Sequence, residues 1–323
     1  MKTFLFIRPI YQFYFLILLN AIQIYSSFLD KIPSKFISDQ NFIDMTLKSQ
    51  KKSVVLYAAP KGSKNTCNIN YPCSLETAIK KLKAGYTLYL KEGTYNVKEG
   101  ITISAKGKAD SYITISSAPN EKAIISSECN KKSKKDECEE ISLFLLDEDA
   151  SYIIIENLIF QNTKAKHLQG IVFYGGSQSH IIIRKNVFNS LSTTKNNTKG
   201  YEASGILLMG ENSGIDNVMI FKNSVKNNNL GFSEAISIEG NCRYIYVLNN
   251  SLTNNNNIGI DLMEILEHVK MKNQISLKNQ WQCIILLINL IVDMMNRQVF
   301  MLMEQRRFIF LKIQYLIHNM ELK

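Results

Sequence analysis

The chain has 323 residues, with 38 Lys+Arg against 28 Asp+Glu and a formal net charge of +10. That balance favours acidic partners: nucleic acid, an anionic membrane or an acidic polysaccharide. The charge is scattered and no RNA- or DNA-binding motif accompanies it, so no nucleic-acid partner is expected. The cysteines form no Cys-x-x-Cys pair and the histidines no cluster, which excludes a conventional zinc site.

Residues 1–27, MKTFLFIRPIYQFYFLILLNAIQIYSS, combine a short basic start, an apolar run and small polar residues at Ser26 and Ser27. This pattern reads as a signal peptide or a signal anchor. Gln12 and Asn20 interrupt the apolar run and weaken the spanning reading. A secreted, extracellular protein with no membrane attachment after cleavage is expected. The cysteines agree with export: Cys67 and Cys73 bracket CNINYPC, Cys129 and Cys138 bracket a polar loop, and both pairs read as local disulfides.

Residues 28–52 read as a linker. SVVLYAAPKGS then reads as a strand ending in a Pro/Gly turn. In SLETAIKKLKAG, Ser74 is placed to N-cap a helix with Glu76 in its first turn. Leu75, Ala78, Ile79 and Leu82 share one face of that helix, and Gly85 is expected to end it.

From Ser151 to Asp261 a motif recurs about every thirty residues. The copies read YIIIENLIFQN…GIVFYGG, HIIIRKNVFNS…GILLMGE, NVMIFKNSVKN…AISIEGN and YIYVLNNSLTN…GIDL. Such a period marks a solenoid, in which each unit buries its apolar side only by stacking on its neighbours. Three short β-runs per unit predict the coils of a parallel β-helix, with the helix from Ser74 as its N-terminal cap.

The strand ending in APKGS, the bracketed loop, the helix SLETAIKKLKAG, the run YTLYLKEGTYNV and the coil SYITISSAPNEKAIIS resemble the opening of secreted right-handed parallel β-helix proteins. These form the pectate-lyase-like superfamily. The resemblance spans residues 53–261 and implies an all-β fold: one right-handed parallel β-helix with an N-terminal capping helix. It implies action on an acidic, uronate-containing polysaccharide by β-elimination. A non-enzymatic extracellular carbohydrate-binding or adhesin-like β-helix is the alternative. A monomer is expected.

The repeats align on Asn186, Asn223 and Asn250, followed two residues later by Phe188, Val225 and Leu252. A stacked Asn suits a tight turn, because Asn tolerates left-handed backbone and its amide can bond the coils above and below. In the resembling family such ladders mark the turn between the second and third sheets. In the first sheet, Ile171/Phe173, Ile206/Leu208, Ile236/Ile238 and Ile260 fit inward positions. Val172/Tyr174, Leu207/Met209, Ser237/Glu239 and Asp261 fit outward ones. The resemblance places the polysaccharide groove along that outward face.

β-Elimination on a uronate needs a cation to neutralise the carboxylate, a base to take the neighbouring proton, and a proton for the leaving oxygen. Glu234, Glu239 and Asp261 are the candidate ligands of a Ca²⁺ ion, which takes several oxygen ligands. Lys199, Lys226 and Arg243 are the candidate bases. His167 and His180 read as turn residues. The sequence shows neither a closely spaced Asp set typical of pectin hydrolases nor a Gly-Ser nucleophile motif.

After Asp261 the coil rhythm stops, and residues 262–323 read as an aberrant tail, helical or disordered. Back-translated and read two nucleotides on, Met263–Lys272 can give GNSGTCKNE and Ile291–Ile309 can give SGYDESAGIYVDGAKKIY. Both strings restore coil-like sequence in one frame. A frameshift near Leu262 is therefore expected, leaving the printed chain truncated within its β-helix and inactive.

Overall fold

The computed structural model describes residues 54–127, 138–194 and 200–263, together with the backbone of 285–288 and 291–292. In chain order it comprises β1 (Val54–Ala58), α1 (Leu75–Lys80), β2 (Tyr86–Leu90), β3 (Gly93–Asn96), β4 (Gly100–Ile103), β5 (Ile113–Ser117) and β6 (Ala123–Ser126). Then come β7 (Glu140–Leu146), β8 (Ser151–Glu156), β9 (Ile159–Ala165), β10 (His167–Gly175), β11 (Ser179–Arg184) and β12 (Val187–Thr193). The last are β13 (Glu202–Phe221), β14 (Ser224–Lys226), β15 (Ile236–Leu248), β16 (Ser251–Thr253), β17 (Ile260–Met263), β18 (Ile285–Ile288) and β19 (Ile291–Val292).

Every strand pairing is parallel and joins one coil to the next, for example Ile171 to Ile206 and Ile206 to Ile236. This is the parallel β-helix that the repeat predicted. Two hydrogen-bonded sheets result rather than three, because β13 and β15 run unbroken through a corner that the sequence suggested was a break. At that corner Tyr152, His180, Asn217 and Tyr244 all hold φ between 54 and 56°. His180 holds this left-handed corner conformation within β11 and stacks on Tyr152 at 4.4 Å.

Alternation in the first sheet follows the expected pattern. Ile171, Phe173, Ile206, Leu208, Ile236, Ile238 and Ile260 lie in the core, while Tyr174 is exposed. Phenylalanines fill the middle of the coils. Phe160 stacks on Phe188 at 4.9 Å and meets Phe144 edge-on at 5.2 Å, in the geometries aromatic pairs prefer.

The Asn ladder forms as expected. Asn186 Oδ1 accepts from the Leu158 amide, Asn223 Oδ1 from the Asn186 amide, and Asn250 Oδ1 from the Asn223 amide. The left-handed residues are those just before the ladder (Lys185, Lys222 and Asn249) rather than the ladder asparagines. The turn itself therefore selects only weakly for Asn. The buried carbonyls and amides select for it, since unpaired polar groups there are costly. A second ladder, Asn228 to Asn255, closes the next turn.

At the N-terminal end Ser74 Oγ accepts from the Thr77 amide at 3.2 Å, and Leu75, Ala78 and Ile79 of α1 are buried. The helix ends at Lys80 with Lys81 as its C-cap, before Gly85, which turns the chain into β2 with φ +79°. Cys67 and Cys73 form a disulfide. Cys138 is disulfide-bonded as well, and Cys129 lies outside the described residues.

Where the tail is described it is strand. β18 pairs with Ile245–Leu248 of β15, and β19 with Ser251–Leu252 of β16. The expected helix or disorder elsewhere in 262–323 lies outside the described residues, as do residues 1–27 and 28–52. Among the described residues no helix is long and apolar enough to cross a membrane.

Candidate functional site

Three outward columns of the first sheet carry the polar side chains. In the first, Ser142, Gln169 and Ser204 lie side by side on successive coils, and by the same register Glu234 follows Ser204. Their neighbours show which way they point. Leu168 and Ala203 belong to the core, and a Cβ at Gly170 or Gly205 would meet the core residues Phe188 and Val225. Gln169 and Ser204 between them therefore face out of the coil. In the second column Val172, Leu207, Ser237 and Asp261 are in register, and in the third Tyr174, Met209, Glu239 and Met263.

Parallel pairing sets neighbours within one column about 5 Å apart from coil to coil, and the three acids expected from the sequence, one in each column, are close enough for the Asp261 and Glu239 charges to act on Glu234. Ser237 sits at their centre. Its hydroxyl donates to Glu239 Oε1 at 2.8 Å and also hydrogen-bonds Glu234. Asp261 Oδ1 accepts from the Leu262 amide at 2.8 Å. Glu234 is 7% exposed and Asp261 8%. Burial, then the Asp261 and Glu239 carboxylates, push the Glu234 carboxyl up to about 7 against the opposing Ser237 hydrogen bond. Burial likewise raises Glu239, opposed by Ser237 and reinforced by Glu202 and Asp261.

Glu202 is a fourth acid at this site that the sequence reading missed. It opens β13, and its Oε1 lies 3.3 Å from Nδ1 of His167, its register partner on β10. His167 is accordingly the first residue of a strand, not a turn residue. Nothing in the local sequence joins these two, because the contact arises only when neighbouring coils stack. Tyr201 packs edge-on to His167 at 6.0 Å. The Ser204 hydroxyl, 1% exposed, has no hydrogen-bond partner.

The two candidate bases among the described residues do not join this cluster. Lys226 lies on β14, in the other sheet, in register with Asn189 and Thr253. Arg243 lies at the corner of β15, next to Tyr244, where it pairs with Asp216 at 3.7 Å and donates to the Ser213 carbonyl. Lys199 lies outside the described residues. The carboxylates offer the hard oxygen donors that Ca²⁺ prefers. Among the described residues, however, no three His, Cys, Asp or Glu side chains are arranged to hold a metal ion.

Residues 56–285 match the family described as Pel9A-like, right handed beta helix region. The chain belongs to this family. Among curated proteins, the Pel9A-like chain is 31% identical over 213 residues to the uncharacterized protein YwoF of Bacillus subtilis (strain 168), covering 64% of this chain and 43% of YwoF. It thus spans less than half the length of that relative. Among solved structures it is similar to pectate lyase Pel9A, at 15% identity and TM-score 0.45, covering 78% of this chain and 58% of that one. The alginate lyase from Paenibacillus sp. str. FPU-7 is also similar, at 15% identity and TM-score 0.39, over 74% of this chain and 76% of that one.

Proposed function

We propose that this chain is the β-helix of an extracellular, monomeric, polysaccharide-lyase-like protein. With its tail read two nucleotides on, it takes an acidic, uronate-containing polysaccharide along the outward face of the first sheet and cleaves it by β-elimination; the printed chain is inactive. The observation that carries this reading is the cluster of Glu202, Glu234, Ser237, Glu239 and Asp261 on that face of a Pel9A-like β-helix. A carboxyl titrating near neutrality is suited to proton transfer, because it is populated in both forms at working pH. Glu234, pushed up to about 7, is the group we assign to protonate the leaving glycosidic oxygen.

Secretion is supported by residues 1–27 and by the Cys67–Cys73 disulfide, since such bonds persist in oxidising compartments. The test is incubation of the chain carrying its tail two nucleotides on with polygalacturonate, alginate and chondroitin, with and without added Ca²⁺, while following the absorbance of unsaturated chain ends. No absorbance from any of them rejects the reading.

One observation favours the alternative, an extracellular carbohydrate-binding protein without activity. Neither Lys226 nor Arg243 lies at the acid cluster. Retained glycan binding with no new chain ends would decide for it.

A further inference from the structure

β-Elimination needs a proton acceptor beside the substrate, and the expected lysine and arginine candidates that the structure describes lie elsewhere. We propose that His167 is that acceptor and that Glu202 is its positioning residue, a reading that rests on the lyase function above. The geometry is that of an oriented imidazole. Glu202 Oε1 faces Nδ1 of His167 at 3.3 Å, so the carboxylate holds the proton on Nδ1 and leaves the Nε2 lone pair as the acceptor. Both side chains are half exposed, within reach of a polymer on the outward face.

The surroundings suit the role. Glu140 of β7 and Glu202 of β13 flank His167 in register, on either side of β10. Lys166 is paired with Glu139 and lies 5.6 Å from the centre of the Tyr201 ring, whose edge packs against His167. Glu202 also acts on Glu234 and Glu239, so the imidazole borders the acid cluster instead of standing apart from it. The Ser204 hydroxyl adds a second indication of a ligand. It is buried, unpartnered and outward-facing, two residues from Glu202 and beside Glu234.

The step balances. Nε2 of His167 takes the proton beside the uronate carboxylate, and the C–H electron pair becomes the new C=C bond. The glycosidic C–O bond breaks with its electron pair going to oxygen, which takes the Glu234 proton. Transfer of the proton from His167 to Glu234 through water restores both groups. The products are one chain with an unsaturated end and one with a free hydroxyl.

The test has two parts. In the whole chain labelled with ¹⁵N on its four histidines, the neutral His167 ring should show the Nδ1–H tautomer, and Glu202→Ala should abolish that signature. The His167 signals should also move saturably on addition of tetragalacturonate. In the chain carrying its tail in the second frame, His167→Gln should lower the rate of unsaturated-end formation at least 100-fold. Glu202→Gln should lower kcat with KM little changed. A neutral His167 protonated on Nε2, or one that ignores tetragalacturonate, overturns the assignment. Unsaturated product at the unaltered rate from His167→Gln removes His167 alone and leaves the lyase reading. No product from any polymer removes both.

Discussion

Asn223 Oδ1 accepts from both the amide nitrogen and the side-chain Nδ2 of Asn186, at 3.0 and 3.2 Å, while its own Nδ2 reaches the Ile183 carbonyl at 2.9 Å. One buried side chain thus spans the Ile183–Asn186 turn of the preceding coil and ties that coil to its own. The same atoms of Asn250 do this for Asn223.

Replacing Asn223 by Ala leaves two donors of Asn186 and the Ile183 carbonyl without their partner. Buried unsatisfied polar groups cost about 1–3 kcal/mol each, so a loss of about 3 kcal/mol or more is expected in urea unfolding. Ser104→Ala, which removes an exposed bond to Asp147, should cost no more than about 0.5 kcal/mol. Equal losses at the two positions would contradict the ladder's role.

Glu234 supplies a pH signature. Its carboxyl titrates at about 7 in the folded chain against 4.5 ordinarily, so between those values the folded state binds more protons than the unfolded. Its contribution is fully present below about 4.5 and is lost as pH rises through about 7. Glu234→Gln removes this loss. The variant should therefore gain on the original chain as pH rises, by roughly 1–2 kcal/mol at pH 8, a figure reduced for solvent screening. Thermal melts across that range check it, and a pH-independent difference would contradict the buried, repelled carboxyl.

Gly170 sits where the outward column bends. A Cβ there would lie 2.5 Å from the Gly205 carbonyl oxygen and 2.7 Å from Phe188 Cδ1. Both contacts are in the packed interior, so Gly170→Ala should cost about 1–3 kcal/mol by overpacking. A neutral result in chemical denaturation would show that the coils separate there without cost.

The tail carries a prediction about the message. Transcript sequenced across the Leu262 codon should contain, two nucleotides on, the frame that encodes further Gly-Ile-x-Val and Asn-Thr-Ile coils. An uninterrupted frame encoding only the printed tail would refute the frameshift.

The solenoid was legible because its causes are local and repeated. Ile171/Phe173 and Ile236/Ile238 alternate with period two, and Asn186, Asn223 and Asn250 recur at one turn. The second ladder was harder to see, since Leu191 occupies that slot one coil earlier and offers only its backbone amide to Asn228. The acids Glu234, Glu239 and Asp261 were placed together correctly because register follows from the repeat. The His167–Glu202 pair was not, because it joins the first residues of two strands across a loop of variable length. The sequence left the place of Arg243 to the course of the turn. It stands at the corner of β15, beside Tyr244, with its side chain paired to Asp216.

The most direct test of the lyase reading is the appearance of unsaturated uronate ends. It compares the printed chain with the chain carrying its tail in the second frame, each on polygalacturonate, alginate and chondroitin. The account predicts absorbance from at least one polymer with the second-frame chain, its loss in Glu234→Gln and His167→Gln, and none from the printed chain. Glycan retained on the second-frame chain with no unsaturated ends from any polymer would contradict it.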